Sequence, residues 1–341
     1  MANPQSLWRR RWRRFKSNRR GYWSLVLFTL LLVLSLGAEV ISNDKPFLVH
    51  YQGGYYFPIF QTYSETTFGG DFATEADYQD PLVRGNITSH GNWALFPLNP
   101  HSFASISLDL NAPVPSPPTC SNFLGTDDHG RDVLARLIYG FRLSVLFAFV
   151  LTIVGTVVGI VAGAVQGYFA GRVDLYMQRF IEIWSAMPEL YLLIIFASIF
   201  KPSVLLLIIL LSLFGWMGLS DYVRAEFLKG RNLDYVLAAK ALGVSDTTIM
   251  FRHLLPNGMT PVITFLPFRM SGAILALTSL DFLGLGVPPP TPSLGELLAQ
   301  GKNNIDAWWL SISTFVVLVG TLVLLIFIGE ALREAFDPRK V

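Results

Sequence analysis

Charge is scarce in this sequence: of 341 residues only 15% are Asp, Glu, Lys or Arg, while 52% are hydrophobic. Soluble domains carry roughly 25% charged residues, so a soluble globular protein is excluded. Cysteine is nearly missing too. Cys120 stands alone, which rules out an internal disulfide, and its surroundings must fold without one. Catalytic signatures are absent: there is no Gly-x-Ser-x-Gly elbow and no His-Glu-x-x-His helix. The nearest approach to a phosphate-binding loop, Gly301-Lys302-Asn303, has Glu296 where the first glycine belongs and lacks the Ser or Thr. None of the five histidines (His50, His90, His101, His129, His253) lies in a long apolar run, which argues against an intramembrane hydrolase. The chain reads as no enzyme, so energy for work comes from a partner or an ion gradient.

What is abundant is apolar length. Six runs, 24–40, 142–166, 175–200, 204–220, 260–282 and 310–330, reach or approach the ~20 residues that cross ~30 Å of hydrocarbon as a helix. Long unalternating runs span only as helices. The expectation is an all-α polytopic membrane protein with six transmembrane helices. The first 20 residues hold eight basic ones (Arg9, Arg10, Arg11, Arg13, Arg14, Lys16, Arg19, Arg20), which places the N-terminus in the cytoplasm. Six spans return the C-terminus there, with Arg333, Arg339 and Lys340. The 221–256 loop, with Arg224, Lys229, Arg231, Lys240 and Arg252, falls on the same side. The long 41–141 segment then faces out. Its acidic excess (Asp71, Glu75, Asp77, Asp80, Asp127, Asp128, Asp132) agrees but weighs little, because long loops translocate regardless of charge. The basic start and apolar 24–36 also resemble a cleavable signal peptide with Ser35-Leu36-Gly37 at its cut site. Against that, the run continues to Val40 and Ile41. The basic arm reads as a topology signal and anionic-lipid contact, not as a nucleic-acid site.

Composition divides the chain into a basic arm (1–23), a first transmembrane helix (24–41), an outer insertion (42–121) and a core (122–341). The insertion is mixed and partly irregular, with aromatic alternation around Gly53-Gly54 predicting a hairpin within 49–68. Prolines from 113 to 118 mark a linker. Two readings stand for the aromatic part of the insertion, a folded cap or a docking surface. Next come Gly125, Thr126, Asp127, Asp128, His129, Gly130, Arg131 and Asp132. Three aspartates and a histidine invite a metal ion, but the calcium-loop spacing is missing. The structural reading has Asp127 or Asp128 capping a turn and Asp132 opening a helix.

Within the spans, Gly155, Gly159 and Gly163 recur at four-residue spacing, which lets helix backbones approach closely. Bundle packing is the first meaning, with sliding during gating as a second role. Arg179 and Glu182 read as an intrahelical pair at the interface. Glu189 follows Pro188 at greater depth and is the pathway candidate, since intramembrane ionisable groups face a polar interior by default. Pro188 is a point where that helix can break. Past the fifth span, Gly284, Gly286 and Pro288-Pro289-Pro290 predict a stiff outer connection, and Ser293 a cap for a short helix from Leu294. Trp308 and Trp309 sit where an aromatic belt belongs.

A polar island lies in this apolar sea. Tyr235, Ala238, Ala239 and Leu242 fall at i, i+3, i+4 and i+7, one face of a helix that starts at Asp234. Its two alanines make the face shallow. Gly243 supplies a left-handed stop, Ser245 and Asp246 cap a second helix over 246–253, and Pro256 marks entry to the fifth span. A helix lying on lipid calls for bulky apolar anchors rather than alanines, so the island reads as a surface gripped by another protein.

Ala238, Ala239 and Gly243 followed by His253-Leu254-Leu255-Pro256 resemble the "EAA" coupling loop of ABC-importer permeases. The run Phe123 to Asp132 with Tyr139-Gly140-Phe141-Arg142-Leu143-Ser144, and the run Phe282 to Ser293, resemble the dipeptide/oligopeptide branch. The insertion's Asn43-Asp44-Lys45-Pro46, Phe68-Gly69-Gly70 and Thr74 to Pro81 look like the Yej-type permeases, which import microcin C and peptides. The likeness covers about Gly21 to Arg339. It implies a type I importer permease fold and half of a peptide pore in the bacterial inner membrane. It also implies a second homologous permease, two ATPase domains, fused or separate, and a periplasmic peptide-binding protein. No cofactor is expected on this chain; ATP and Mg would sit on the ATPases. Coupling would fall to Asp234, Tyr235, Leu237, Ala238, Ala239, Leu242, Gly243, His253, Leu255 and Pro256. The outer motifs would be Gly125, Thr126, Asp127, Gly130, Arg131 and Asp132 with Gly284, Gly286, Pro288 and Pro289. Leu237 departs from the pattern by standing at the motif's glutamate position, which implies a more apolar grip. The rival class is an ATP-independent secondary transporter or channel, which needs a deep ionisable relay; only Glu189 qualifies.

Overall fold

The computed structural model describes residues 7–89, 91–107 and 113–337; His90, Arg339 and Lys340 lie outside the described residues. The basic cluster forms α1 (Leu7–Ser17), separated from α2 (Arg19–Leu36) at Asn18, whose side chain accepts the Gly21 amide at 3.0 Å. Gly37 interrupts the first span, and one turn, α3 (Ala38–Ile41), continues it. The insertion holds β1 (Leu48–Tyr51), β2 (Gly54–Tyr56), α4 (Pro81–Thr88) and β3 (Trp93–Leu95). Then come α5 (Val133–Phe169), α6 (Gly171–Ser185), α7 (Glu189–Ile199), α8 (Val204–Ser212) and α9 (Met217–Gly230). The polar island carries α10 (Asp234–Ala241) and α11 (Asp246–Thr248), followed by a π-helical turn (Ile249–Leu254) and α12 (Leu255–Phe282). The chain ends with α13 (Leu294–Asn303) and α14 (Trp308–Phe336).

Among the described residues five stretches are long and apolar enough to cross a membrane: Arg19–Leu36, Val133–Phe169, Val204–Gly230, Asp246–Phe282 and Trp308–Phe336. A sixth is α6 with α7, bent by 67°. Six spans match the expectation, but the third is not one straight helix. Pro188 has no amide to donate and sits in extended backbone (φ −71°, ψ 108°), so the helix stops and restarts at Glu189. Helix limits also lie beyond the expected ones, as with 142–166, which lengthens to Val133–Phe169. Hydropathy marks only the apolar stretch, whereas a capped helix continues through polar turns.

The chain divides into two compact units. The first comprises the residues through Thr29, those from Ser144 to Pro288 and those from Leu318 onward. Here the glycine stripe of α5 packs on α9. A Cβ at Gly159 would lie 2.9 Å from the Trp216 carbonyl oxygen, and one at Gly163 2.8 Å from Val223 Cβ. Backbone therefore meets backbone, as packing without a hydrophobic driving force requires. Around this seam Ala164, Tyr168, Leu219, Val223, Phe227, Val236, Ile249, Met250, Leu254 and Val262 form one buried cluster. A second cluster seats Phe15 of α1 on Ala331, Ala335 and Phe336 of α14.

The second unit holds Leu30–Leu143 and Pro289–Val317. Its three-stranded antiparallel sheet has the order β2-β1-β3, one strand more than the predicted hairpin. Gln52 and Gly53 both have positive φ (49° and 80°), the turn that suits a tight hairpin. One face packs Val49 and Tyr51 on Phe68, Tyr78, Val83 and Ile87. Burial there pushes the Tyr78 hydroxyl well above the usual phenol range. Hydrogen bonds from Asn99 Nδ2 to Asp132 Oδ1 (2.9 Å) and from the Tyr139 hydroxyl to the Ser42 carbonyl (3.0 Å) tie the insertion to the start of α5.

Candidate functional site

Val236 is 2% exposed and anchors α10 in the buried cluster of the first unit. Burying such a side chain is worth about 1.5–3 kcal/mol, enough to fix which side of a two-turn helix faces in. Ala239, three residues on, packs against the same cluster. The expected single face is thereby split: Ala239 turns inward while Tyr235, Ala238 and Leu242 stay outside, joined by Leu237. The helix is gripped from within by Val236 and offers its bulky residues outward. Leu242 is 84% exposed. Gly243, at φ +78°, ends the helix as expected, with Gly243 N–H donating to Lys240 O (3.0 Å) and Val244 N–H to Ala239 O (3.1 Å).

Ser245 caps the next turn, its hydroxyl accepting the Thr248 amide at 3.4 Å. The separate helix expected over 246–253 is instead continuous with the fifth span. The π turn carries it through His253 and Leu254 into α12, and Pro256, which has no amide to donate, falls directly after that turn, where the helical hydrogen-bond register changes. Leu255 packs on the core, His253 is half-buried and Pro256 is exposed. Asn257 Nδ2 donates to the Tyr235 hydroxyl at 3.4 Å and to the His253 carbonyl at 3.0 Å, linking α10 to the base of α12. Asp234 in the first turn of α10 and Lys240 in the last suit its dipole.

The second unit gathers the Gly125–Asp132 motif around buried charge. Asp127 Oδ1 accepts the amides of His129 and Arg131, both at 2.9 Å, and Oδ2 accepts Arg131 Nε at 2.7 Å. Arg136 Nε lies 3.4 Å from the same oxygen. Glu296 on α13 closes the cluster, taking Arg131 Nη2 at 3.0 Å and Arg136 Nη2 at 2.5 Å. Asp127, Asp128 and His129 do place ligand atoms within 4.8 Å of one another. The donor set nevertheless suits no cation, since Asp127 already faces two guanidinium groups and His129 is hydrogen-bonded to Asp128. Asp132 caps α5 through the Ala135 amide at 2.8 Å, as expected. Gly125 and Gly130 occupy positive φ, and the Thr126 carbonyl accepts the Trp309 indole N–H at 3.1 Å. Trp309 is thus a core residue and not part of an exposed aromatic belt; Trp308 remains exposed.

At the end of α12, Gly284 (φ +74°) terminates the helix, and Asp281 Oδ1 accepts the Val287 amide at 2.8 Å. Gly286 is buried against Asp281, where a side chain has no room; Pro288 and Pro289 are exposed. Ser293 caps α13 through Gly295 and Glu296. Arg179 pairs with Glu182 within α6 at 2.5 Å, both exposed. Glu189, first residue of α7, lines a cavity of roughly 510 Å³ in the first unit together with Arg269 of α12.

Sequence reasoning missed Arg136, Glu296 and Arg269. Arg136 and Arg269 each interrupt an apolar helix, which was the available signal, because such a charge requires a reason. Glu296 is an ordinary first-turn acid in sequence, and only the fold shows its partners.

Helices of spanning length, a glycine-packed seam and an exposed loop leading into a span define a polytopic membrane protein. A family model described as "Binding-protein-dependent transport system inner membrane component" matches residues 155–341. The N-terminal TM domain of oligopeptide transport permease C matches residues 6–60. The inner membrane ABC transporter permease protein YejE of Escherichia coli (strain K12) is 54% identical over 330 residues, covering 97% of this chain and 96% of that protein. The peptidoglycan transport system permease protein YejE of Agrobacterium fabrum is 49% identical over 369 residues, covering 100% and 96%. The MetNI methionine ABC transporter, in inward-facing conformations, shares the fold with a TM-score of 0.50 at 17% identity, over 59% of this chain and 96% of that one. The chain belongs to the binding-protein-dependent inner-membrane components, the permeases of ABC transporters, in their dipeptide/oligopeptide branch. It is a non-catalytic, multi-pass inner-membrane subunit, and the secondary-transporter reading falls away.

Proposed function

We propose that this permease forms half of a peptide-conducting pore, completed by a second homologous permease and driven by two ATPase domains that hold ATP and Mg. The observation that carries the proposal is the α10 loop. Tyr235, Leu237, Ala238 and Leu242 are exposed on or at the end of a helix whose inner side is locked into the core, and past the Gly243 stop the stretch from Asp246 continues into α12. A push on that surface reaches the base of α12 through the core packing of Val236 and the hydrogen bond from Asn257 to the Tyr235 hydroxyl. Leu237 among these residues makes the grip apolar. Asp234, Ala239, Gly243, His253, Leu255 and Pro256 shape the loop rather than present it.

The eight basic residues before the first span support cytoplasmic N- and C-termini, with the 221–256 loop inside and the 42–121 insertion in the periplasm. The arm 1–23 and the core 122–341 follow as functional segments. Peptides are the substrate class suggested by the oligopeptide-permease model and by relatives such as the dipeptide transport system permease DppC of Haemophilus influenzae, 38% identical over 219 residues. Microcin C-like peptides follow from the resemblance of the insertion. A periplasmic binding protein would deliver them, with the 125–132 and 284–289 motifs shaping the outer end. Affinity purification of the tagged chain in mild detergent tests the assembly: a stoichiometric ATPase and a second permease are expected, and a lone chain would end the proposal.

A further inference from the structure

The cavity beside the broken third span is lined by two ionisable side chains, and neither has an opposite charge paired with it among the described residues. Among the described residues Glu189 has no hydrogen-bond or ion-pair partner. Arg269 makes one hydrogen bond, from Nη2 to the uncharged Gly215 carbonyl at 2.8 Å, and its Nε is buried without a partner. The two line the same walls yet form no ion pair with each other. Thr152 and Ser185 are nearby, and the rest of the lining is neutral and mainly Leu, Met, Ala, Gly and Phe.

Unpaired charge within a membrane-spanning segment is costly and is kept where it meets a ligand or a relay. Glu189 has a partial local reason, since the first residue of a helix favours negative charge. Arg269 has none. Its guanidinium occupies the gap left by Gly155, where a Cβ would lie 2.6 Å from Nη2, and among the described residues no carboxylate pairs with it. Two opposite charges held apart in one cavity complement a molecule that carries both.

The geometry points to a zwitterion site: Arg269 takes the C-terminal carboxylate of a free peptide, and Glu189 its N-terminal ammonium. This rests on the peptide reading above and deepens it. The guanidinium fork matches a carboxylate with two parallel N–H donors, which a neutral amide cannot replace. A sphere of 510 Å³ is about 10 Å across, roughly three extended residues at ~3.4 Å each. A di- or tripeptide therefore fits this cavity with both of its ends, while a longer chain does not.

The test uses the complete transporter in proteoliposomes and three probes: trialanine, its C-terminal amide and its N-acetyl form. Each is supplied at equal occupancy of the binding protein, set by separate titration. Wild type should import trialanine about tenfold faster than either capped peptide, the factor a lost charge-assisted contact gives. Arg269→Gln should slow trialanine to the rate of the amide and erase that discrimination; Glu189→Gln should do the same for the acetyl form. If Arg269→Gln fails to assemble, Arg269→Lys carries the test. It keeps the charge without the fork and should discriminate against the amide less than wild type. Wild-type uptake without discrimination, or variants that discriminate as wild type does, overturns the site alone. Uptake of none of the three probes by wild type removes the peptide reading and the site with it.

Discussion

The Tyr168 hydroxyl donates to Asp246 Oδ1 at 2.5 Å, joining the end of α5 to the residue where the helix leading into α12 begins. The contact bridges 78 positions in sequence. Tyr168 itself is 6% exposed in the cluster that seats Val236. The contact thus ties the segment that follows the α10 turn to a second span.

Tyr168→Phe keeps the ring and removes the donor. Hydrogen bonds to charged groups are worth about 1.5–3 kcal/mol, so residues 246–254 should open more often. Faster amide hydrogen exchange across that segment in detergent-purified transporter is the expected result; identical exchange in both proteins would show that the bond restrains nothing.

Gly243 stands in open space, with nothing within 4 Å of a Cβ placed on it, but at φ +78°. Strain is thus the only penalty of substitution, about 1–3 kcal/mol for Gly243→Val. Uptake should be lost while the complex still copurifies. Gly243→Asn, which tolerates the left-handed region, should retain uptake. Equal uptake by the two variants would remove the coupling role assigned to this turn.

Leu242 is 84% exposed, so Leu242→Asp should alter folding stability by no more than about 0.5 kcal/mol. It should nevertheless abolish copurification of the ATPase, because a carboxylate would be desolvated in an apolar grip. An ATPase retained at full stoichiometry would place docking elsewhere.

Glu296→Gln leaves Arg131 and Arg136, 6% and 0% exposed, with Asp127 as their remaining counter-charge. Breaking such a buried network costs about 3–5 kcal/mol. By contrast, Arg142→Gln breaks a partly exposed pair with Glu39, worth at most about 1 kcal/mol. Thermal unfolding in detergent should fall clearly for the first variant and barely for the second. Equal shifts would mean the cluster is not what holds α13 to α5.

Much of the site was legible because its signals are local. The left-handed stop at Gly243, the Ser245 cap and the Asp132 cap each depend on a few neighbouring residues, and each formed as expected. The break at Pro188 belongs to the same class. The orientation of α10 was not legible: periodicity groups Ala239 with Leu242, but Val236 decides which side faces the core. Nor could periodicity show that Trp309 is buried, since that depends on the Thr126 carbonyl 183 positions away.

The sequence by itself determined six apolar spans, the glycine seam and the helix stops, because hydropathy, backbone freedom and capping act over a few residues. Tertiary structure alone decided which charges meet. Arg136 finds Glu296 at a separation of 160 residues, and Glu189 shares a cavity with Arg269 without pairing to it. The reason is physical: partners for buried charge are chosen by how distant helices pack, and no local pattern in the chain encodes that choice.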